Sequence, residues 1–211
     1  MSSLHEKNDD VEMVTLSSLA ENMVYRLPGC SDTMIRKTLQ ESYRDFCQNT
    51  NVFLSKVDVR TNDLSETIEV SSCGGGFIET VESVRLNGAK LNHRDFRAKY
   101  CGSCVKISLL GNFGIKTNSE SEVSVKFIEI PDITSEKIPR WMLQKYGDAI
   151  VSGALFRLFS MSNKPWSDPQ QALYERERLL NFATLARINS AQDETMGTSA
   201  VDCAVDTSWI L

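Results

Sequence analysis

The apolar residues of this chain change their spacing twice, and that double change restricts the fold more than any single motif. From Leu16 to Phe46 they recur at three- and four-residue steps, the period of an amphipathic helix. Between Asn51 and Ile130 the spacing shifts to short runs rich in Val, Ile and Phe, several of them alternating with polar residues as half-buried strands do. From Ile138 to Ser190 the helical steps return. The chain therefore reads as α+β: two helices, then five or six antiparallel strands forming a small sandwich or barrel, then two more helices, with the end pairs making a four-helix body. The corresponding segments are 1–50, 51–133 and 134–191, followed by an extended tail, 192–211.

The C-terminal helical pair carries the clearest signals. A first helix begins near Pro139, because a helix's first turn tolerates a missing N–H. Leu143, Tyr146, Ile150, Ala154 and Leu158 build its apolar stripe. Ser152, Gly153 and Ala154 form a smooth patch where another backbone can come close, with Gly153 costing about 1 kcal/mol against Ala. Pro165 in Ser162–Ser167 ends that helix. Asp168 then caps the next one, with Pro169 at its first position. Ala172, Leu179, Ala183 and Ala186 continue a second stripe, flanked by Leu173 and Leu180, while Glu175-Arg176-Glu177-Arg178 is expected mostly on the wet side. A link this short makes the two helices antiparallel neighbours, and Trp166 is expected over their shared end.

The N-terminal pair is plainer. Residues up to about Met13 are polar and expected to be loose. Thr15 to Leu27 is a short helix stopped by Pro28-Gly29, and Ser31 or Asp32 caps a second that runs to about Asn49 with Ile35, Leu39, Ser42 or Tyr43, and Phe46 inward and Cys47 alongside. The strands are expected at Phe53–Val59, Thr67–Val70, Ile78–Leu86, Val105–Leu109 and Val123–Ile130. Asn87-Gly88 signals a hairpin, since both turn positions need positive φ. Gly74-Gly75-Gly76 lacks the following Lys-Ser/Thr and helix of a phosphate cradle and reads as a turn.

Composition removes several classes of function. A length of 211 residues is enough for a real core, and 41% hydrophobic with 24% charged residues fits a globular chain. A net charge of −5 argues against a protein that wraps nucleic acid, though not against one that DNA merely passes. No apolar run approaches the roughly 18 to 20 residues of a membrane span. The start, Met1-Ser2-Ser3-Leu4-His5-Glu6-Lys7, lacks the features of a signal peptide, so synthesis in a cytosol is expected.

Of six cysteines, only Cys101-Gly102-Ser103-Cys104 has ligand-like spacing. A structural zinc site would need a second close pair, and redox CxxC motifs sit at helix N-termini, whereas Val105, Ile107 and Leu109 follow here as a strand. Reduced structural thiols are expected. His5 and His93 are the two histidines, and His93, beside Arg94 and Asp95, reads as a solvated loop residue. No acid/base pair, nucleophile with its base, or metal set is recognisable, so no catalytic activity, cofactor or metal is expected.

Three places carry a resemblance to a known family. They are Leu27-Pro28-Gly29-Cys30 with Phe46-Cys47-Gln48-Asn49-Thr50; Val81-Glu82-Ser83-Val84-Arg85-Leu86-Asn87-Gly88 with Leu91; and Ile138-Pro139, Tyr146, Ala149-Ile150, Gly153-Ala154-Leu155, Lys164-Pro165-Trp166-Ser167-Asp168-Pro169, Ala172 and Tyr174. In this order, across roughly Leu27 to Ala191, the chain resembles the head-to-tail connector, or adaptor, proteins of tailed bacteriophages. Arg36-Lys37-Thr38-Leu39 is more polar than the Ala-rich version of that helix.

The resemblance implies a virion structural protein of the viral neck, made in the host bacterial cytoplasm. It implies a homo-oligomeric ring, typically twelve subunits, bound beneath the portal. Such a ring extends the DNA channel for genome ejection and offers a platform for tail or nozzle proteins. The genome passes through without sequence-specific binding, and no membrane is involved. Ser152, Gly153, Ala154, Trp166, Arg176 and Arg178 are the candidates for subunit or helix packing. The tail would leave the body and dock on the portal through Val201, Val205, Trp209, Ile210 and Leu211, because an exposed Trp-Ile-Leu end is an apolar liability unless covered. Two other classes stay open: a tail-associated or receptor-binding β-module, and a thiol- or metal-dependent enzyme using Cys101 and Cys104.

Overall fold

In the computed structural model the described residues are 12–61, 67–72, 75–111 and 121–195, the last five of these as backbone only. Two units emerge. Among the described residues one runs within Phe53–Asp132 and holds strands only, while the other combines Glu12–Val52 with the chain from Ile133 onward and holds the described helices.

The helical unit opens with β1 (Met13–Thr15) and α1 (Ser17–Val24), followed by α2 (Asp32–Thr50). After the strand unit come β9 (Lys137–Pro139), α3 (Arg140–Phe159) and α4 (Pro169–Thr195). Ser31 caps α2, its hydroxyl accepting from the Met34 N–H at 3.4 Å, and Asn51 ends it in the left-handed region at φ 54°. Asp168 caps α4: one carboxylate oxygen accepts from the N–H groups of Gln170 and Gln171 at 3.0 and 3.1 Å. This is the cap expected from Asp168-Pro169.

α3 is the axis of this unit. Met142, Tyr146, Ile150, Ala154 and Leu158 are buried, and so are Ala149, Ser152, Gly153 and Leu155. Apolar and small residues cover so much of its circumference because α2 and α4 both pack on it. The Phe46 and Tyr146 rings lie 5.3 Å apart, and the Cys47 and Met142 sulfurs 3.8 Å apart. Trp166 is buried, as expected for a ring lying over a helical turn. The stretch around Met13, expected to be loose, instead pairs with β9: Met13 faces Pro139, Val14 faces Ile138, and Thr15 faces Lys137. Three residues are too few to show a strand period, so the pairing is invisible without the partner.

The strand unit contains β2 (Leu54–Thr61), β3 (Ile68–Ser71), β4 (Phe77–Leu86), β5 (Ala89–Lys90), β6 (Phe96–Tyr100), β7 (Cys104–Leu109) and β8 (Ser121–Ile130). All pairings are antiparallel. Among the described residues they form two separate sheets, ordered β2-β8-β4-β5 and β3-β7-β6, so the barrel alternative falls. One apolar cluster draws on both: Val70, Val105 and Ile107 from the smaller sheet, Val84, Val125 and Phe127 from the larger.

β4 shows why simple alternation fails there. Ile78, Val81 and Val84 are all buried although they are three apart. Register shifts at Ile78/Thr80 and Val81/Ser83 insert an extra residue each time, and each bulge resets the facing of the chain. The Asn87-Gly88 hairpin forms as expected, with φ of 49° and 82°. Gly76 has a different reason to be glycine: a Cβ there would lie 2.0 Å from the Ile130 carbonyl oxygen.

Candidate interaction surface

α4 has two apolar faces. The inward face is Ala172, Leu179, Ala183 and Ala186, all buried. At 3.6 residues per turn the opposite side carries Leu173, Tyr174, Leu185 and Ile188, which are 60%, 55%, 57% and 44% exposed. Glu177 and Asn181 share that outer side and are exposed, with Thr184 half-buried between them. The outer stripe spans about 22 Å along the axis, at 1.5 Å per residue. The exposed apolar residues form two pairs, Leu173 and Tyr174 near the start and Leu185 and Ile188 further along, with Glu177 and Asn181 between them. Further apolar side chains of the helical unit are exposed: Val24, Tyr25, which is 92% exposed beyond the end of α1, Ile133, and Trp141 in the first turn of α3.

The small-residue patch has a different fate from the outer stripe. Ser152, Gly153 and Ala154 are buried inside their own unit. The position of a Cβ on Gly153 would be 2.3 Å from the Ser42 hydroxyl oxygen and 3.5 Å from a Leu179 methyl. The close backbone approach read from the sequence is real, but α2 and α4 of the same chain make it. A neighbouring copy cannot reach this patch, so its role is helix packing and not subunit contact.

The charge run on α4 also needs correcting. Glu175 is fully buried and lies on the inward face. Its carboxylate accepts from Arg26 at 2.5 Å on one oxygen and from Arg178 at 3.4 Å on the other. The Arg26 guanidinium also stacks over Phe159, 5.6 Å from the ring centre. Arg178 lies 5.9 and 5.8 Å from the Tyr174 and Phe182 ring centres, half-exposed at the edge of the outer stripe. Arg176 is half-buried, and its Nε is enclosed without a hydrogen bond. The two arginines expected to form one row thus differ: Arg178 belongs to the Glu175 cluster and borders the stripe, whereas Arg176 turns partly inward. A second ionic cluster joins Arg157 of α3 to Glu41, at 3.4 Å, and to Asp45.

Candidates for chemistry are sparse. No group of three or more His, Cys, Asp or Glu side chains suited to a metal occurs among the described residues. Cys101 and Cys104 are free and meet across the β6–β7 turn. His93 is exposed, its ring 5.9 Å from that of Phe96. Trp166 Nε1 is enclosed and makes no hydrogen bond. Val201, Val205, Trp209, Ile210 and Leu211 lie outside the described residues.

No protein-family model matches this chain, and no curated protein matches it. The surface itself is therefore what bears on function. No described helix is long and apolar enough to cross a membrane. The outer stripe of α4 was only half legible in the sequence. Leu173 appears there as a flank of the inward stripe, and Leu185 and Ile188 carry no motif. Continuing the helical period past Ala183, and asking which Leu and Ile fall opposite the Ala residues, is the signal that finds it.

Proposed function

We propose that this chain is a structural, non-catalytic subunit of a tailed-bacteriophage neck, a head-to-tail adaptor that assembles as a homo-oligomeric ring beneath the portal. In this reading the ring extends the DNA channel and offers its far face to tail or nozzle proteins. The observation that carries it is the exposure of Leu173, Tyr174, Leu185 and Ile188 on the outer side of α4. A ring contact is head-to-tail, so it joins two different surfaces of the same chain. The α4 stripe is one such surface, and the exposed Tyr25 and Trp141 offer apolar contact elsewhere on the unit. Rim ion pairs add only about 0 to 1 kcal/mol each, so apolar area has to supply the association energy.

The strand unit fits this role as a small sandwich: two sheets, one shared apolar cluster, and no catalytic constellation among its described residues. The tail, through Val201, Val205, Trp209, Ile210 and Leu211, is assigned to a groove on the portal. Native mass measurement of the purified chain, alone and mixed with portal rings, tests the proposal. A monomer that becomes a ring on the portal supports it. A small dimer that persists in both conditions refutes it.

A further inference from the structure

Cys101 and Cys104 are brought together by backbone geometry. The β6–β7 register pairs Lys99 with Lys106 and Tyr100 with Val105. The next pair outward is Cys101 and Cys104, joined by a hydrogen bond from the Cys101 N–H to the Cys104 carbonyl at 2.8 Å. Two residues, Gly102 and Ser103, close the turn, with Gly102 at φ 83°. Facing residues in a hydrogen-bonded antiparallel pair have Cα atoms about 5.5 Å apart, inside the roughly 4.4 to 6.8 Å that a disulfide accepts. The Cys101 thiol donates to the Lys99 carbonyl at 3.8 Å, and Glu69 lies on β3, the strand that pairs with β7 on its other side. Lys106 approaches the Glu69 carboxylate at 3.3 Å. Cys101 is exposed and Cys104 half-exposed, so small reagents reach both.

We propose that Cys101 and Cys104 are a reversible dithiol–disulfide pair that clasps the turn end of the β6–β7 hairpin when the protein passes from reducing to oxidising surroundings. The co-reactant is a low-molecular-weight disulfide. The Cys101 thiolate attacks one of its sulfurs; that S–S bond breaks, and the first small thiolate leaves and takes up a proton. The Cys104 thiol then loses its proton to solvent and attacks the Cys101 sulfur, expelling the second small thiolate. Two protein thiols are oxidised, and one small disulfide is reduced to two thiols. Desolvation, followed by the Glu69 hydrogen bond and the adjacent Cys101, raises the Cys104 thiol above its ordinary range. That makes Cys104 the slower attacker and fits it to the resolving step. β6 is an edge strand of its sheet, so the clasp adds a covalent tie where the ladder ends.

The full-length chain is equilibrated in mixtures of reduced and oxidised glutathione, quenched by alkylation, and mapped by peptide mass. The expected result is two alkylated cysteines in the reducing mixture and, in the oxidising one, a peptide spanning 101–104 that is two hydrogens lighter and unalkylated. Cys104→Ser is expected to hold one glutathione on Cys101, and Cys101→Ser to load Cys104 more slowly. Complete alkylation of both cysteines in the oxidising mixture overturns the proposal. So does a bridge from either one to another cysteine such as Cys73, which follows Ser72, whose N–H bonds the Ser103 carbonyl at 2.7 Å. The wild-type result decides even if a variant misfolds, and it is independent of the adaptor reading.

Discussion

Gly153→Ala puts a methyl group where the Ser42 hydroxyl already sits. The added Cβ would lie 2.3 Å from Ser42 Oγ, a separation that real atoms do not sustain. Ser42 cannot turn away freely, because its hydroxyl donates to the Ile150 carbonyl at 2.7 Å in a buried site. Either α2 moves off α3, or that bond breaks and a buried hydroxyl goes unpaired. Overpacking of this kind costs about 1 to 3 kcal/mol, and an unsatisfied buried hydroxyl falls in a similar range, about 1 to 3 kcal/mol. Against this, Ala is better than Gly in a helix by about 1 kcal/mol. The net expectation is a loss of about 0 to 2 kcal/mol, the strain being taken once because the two escape routes are alternatives.

The decisive variant is Gly153→Ala combined with Ser42→Ala. Without Oγ, the nearest atom of residue 42 to the new methyl is Cβ, at 3.5 Å, which is ordinary contact. Ser42→Ala alone costs about 0.5 to 1.5 kcal/mol for the lost hydrogen bond. In the double variant the clash vanishes, so the two changes are expected to couple favourably by about 1 to 3 kcal/mol. Urea unfolding followed by far-UV circular dichroism measures the cycle, since every helix belongs to this unit. Additive effects, with Gly153→Ala costing the same in the wild-type and Ser42→Ala backgrounds, refute the packing argument.

Leu185→Asp on the outer stripe of α4 is expected to leave the far-UV spectrum unchanged and stability within about 0.5 kcal/mol while abolishing ring formation on the portal, as read by sedimentation. Glu175→Gln removes the charge that Arg26 and Arg178 share; the expected loss is about 1 to 3 kcal/mol in the urea experiment, below the full cost of a broken buried pair because both arginines are partly exposed. The Lys106 hydrogen bond holds the Glu69 carboxyl below its ordinary value of 4.5. That contribution is therefore present above 4.5 and lost as pH falls through the lowered folded-state value, so Glu69→Gln should flatten the acid limb of the stability–pH curve. Deletion of 207–211 is expected to block joining to portal-containing heads in an in vitro assembly assay, and normal joining would remove the docking role of Trp209, Ile210 and Leu211.

Much of the helical unit could be read directly from the chain, because its signals are local. Ser31, Asp168-Pro169 and the stripe from Tyr146 to Leu158 act within a turn or two of backbone, and helical periodicity places them without knowledge of any partner. The five strand runs rich in Val, Ile and Phe and the Asn87-Gly88 turn follow the same logic. Phe96–Tyr100 escaped because its alternate face, Phe96, Ala98 and Tyr100, holds no Val or Ile and is only three residues long, and Met13–Thr15 because a strand of three has no period.

Other features depended on residues far apart in sequence. Nothing in Glu175-Arg176-Glu177-Arg178 says which charge turns inward; Arg26, 149 positions earlier, decides it by presenting a guanidinium where Glu175 lies buried. The Ser152-Gly153-Ala154 patch announced a close approach by sequence, but only the packing of α2 and α4 showed that its own chain fills it. The amino-acid order by itself determined which stretches are helix or strand and where they stop, since those are matters of backbone geometry and nearest neighbours. Tertiary structure alone decided which apolar faces were already covered and which, like the outer side of α4, remained open, because burial is a property of what the rest of the chain brings alongside.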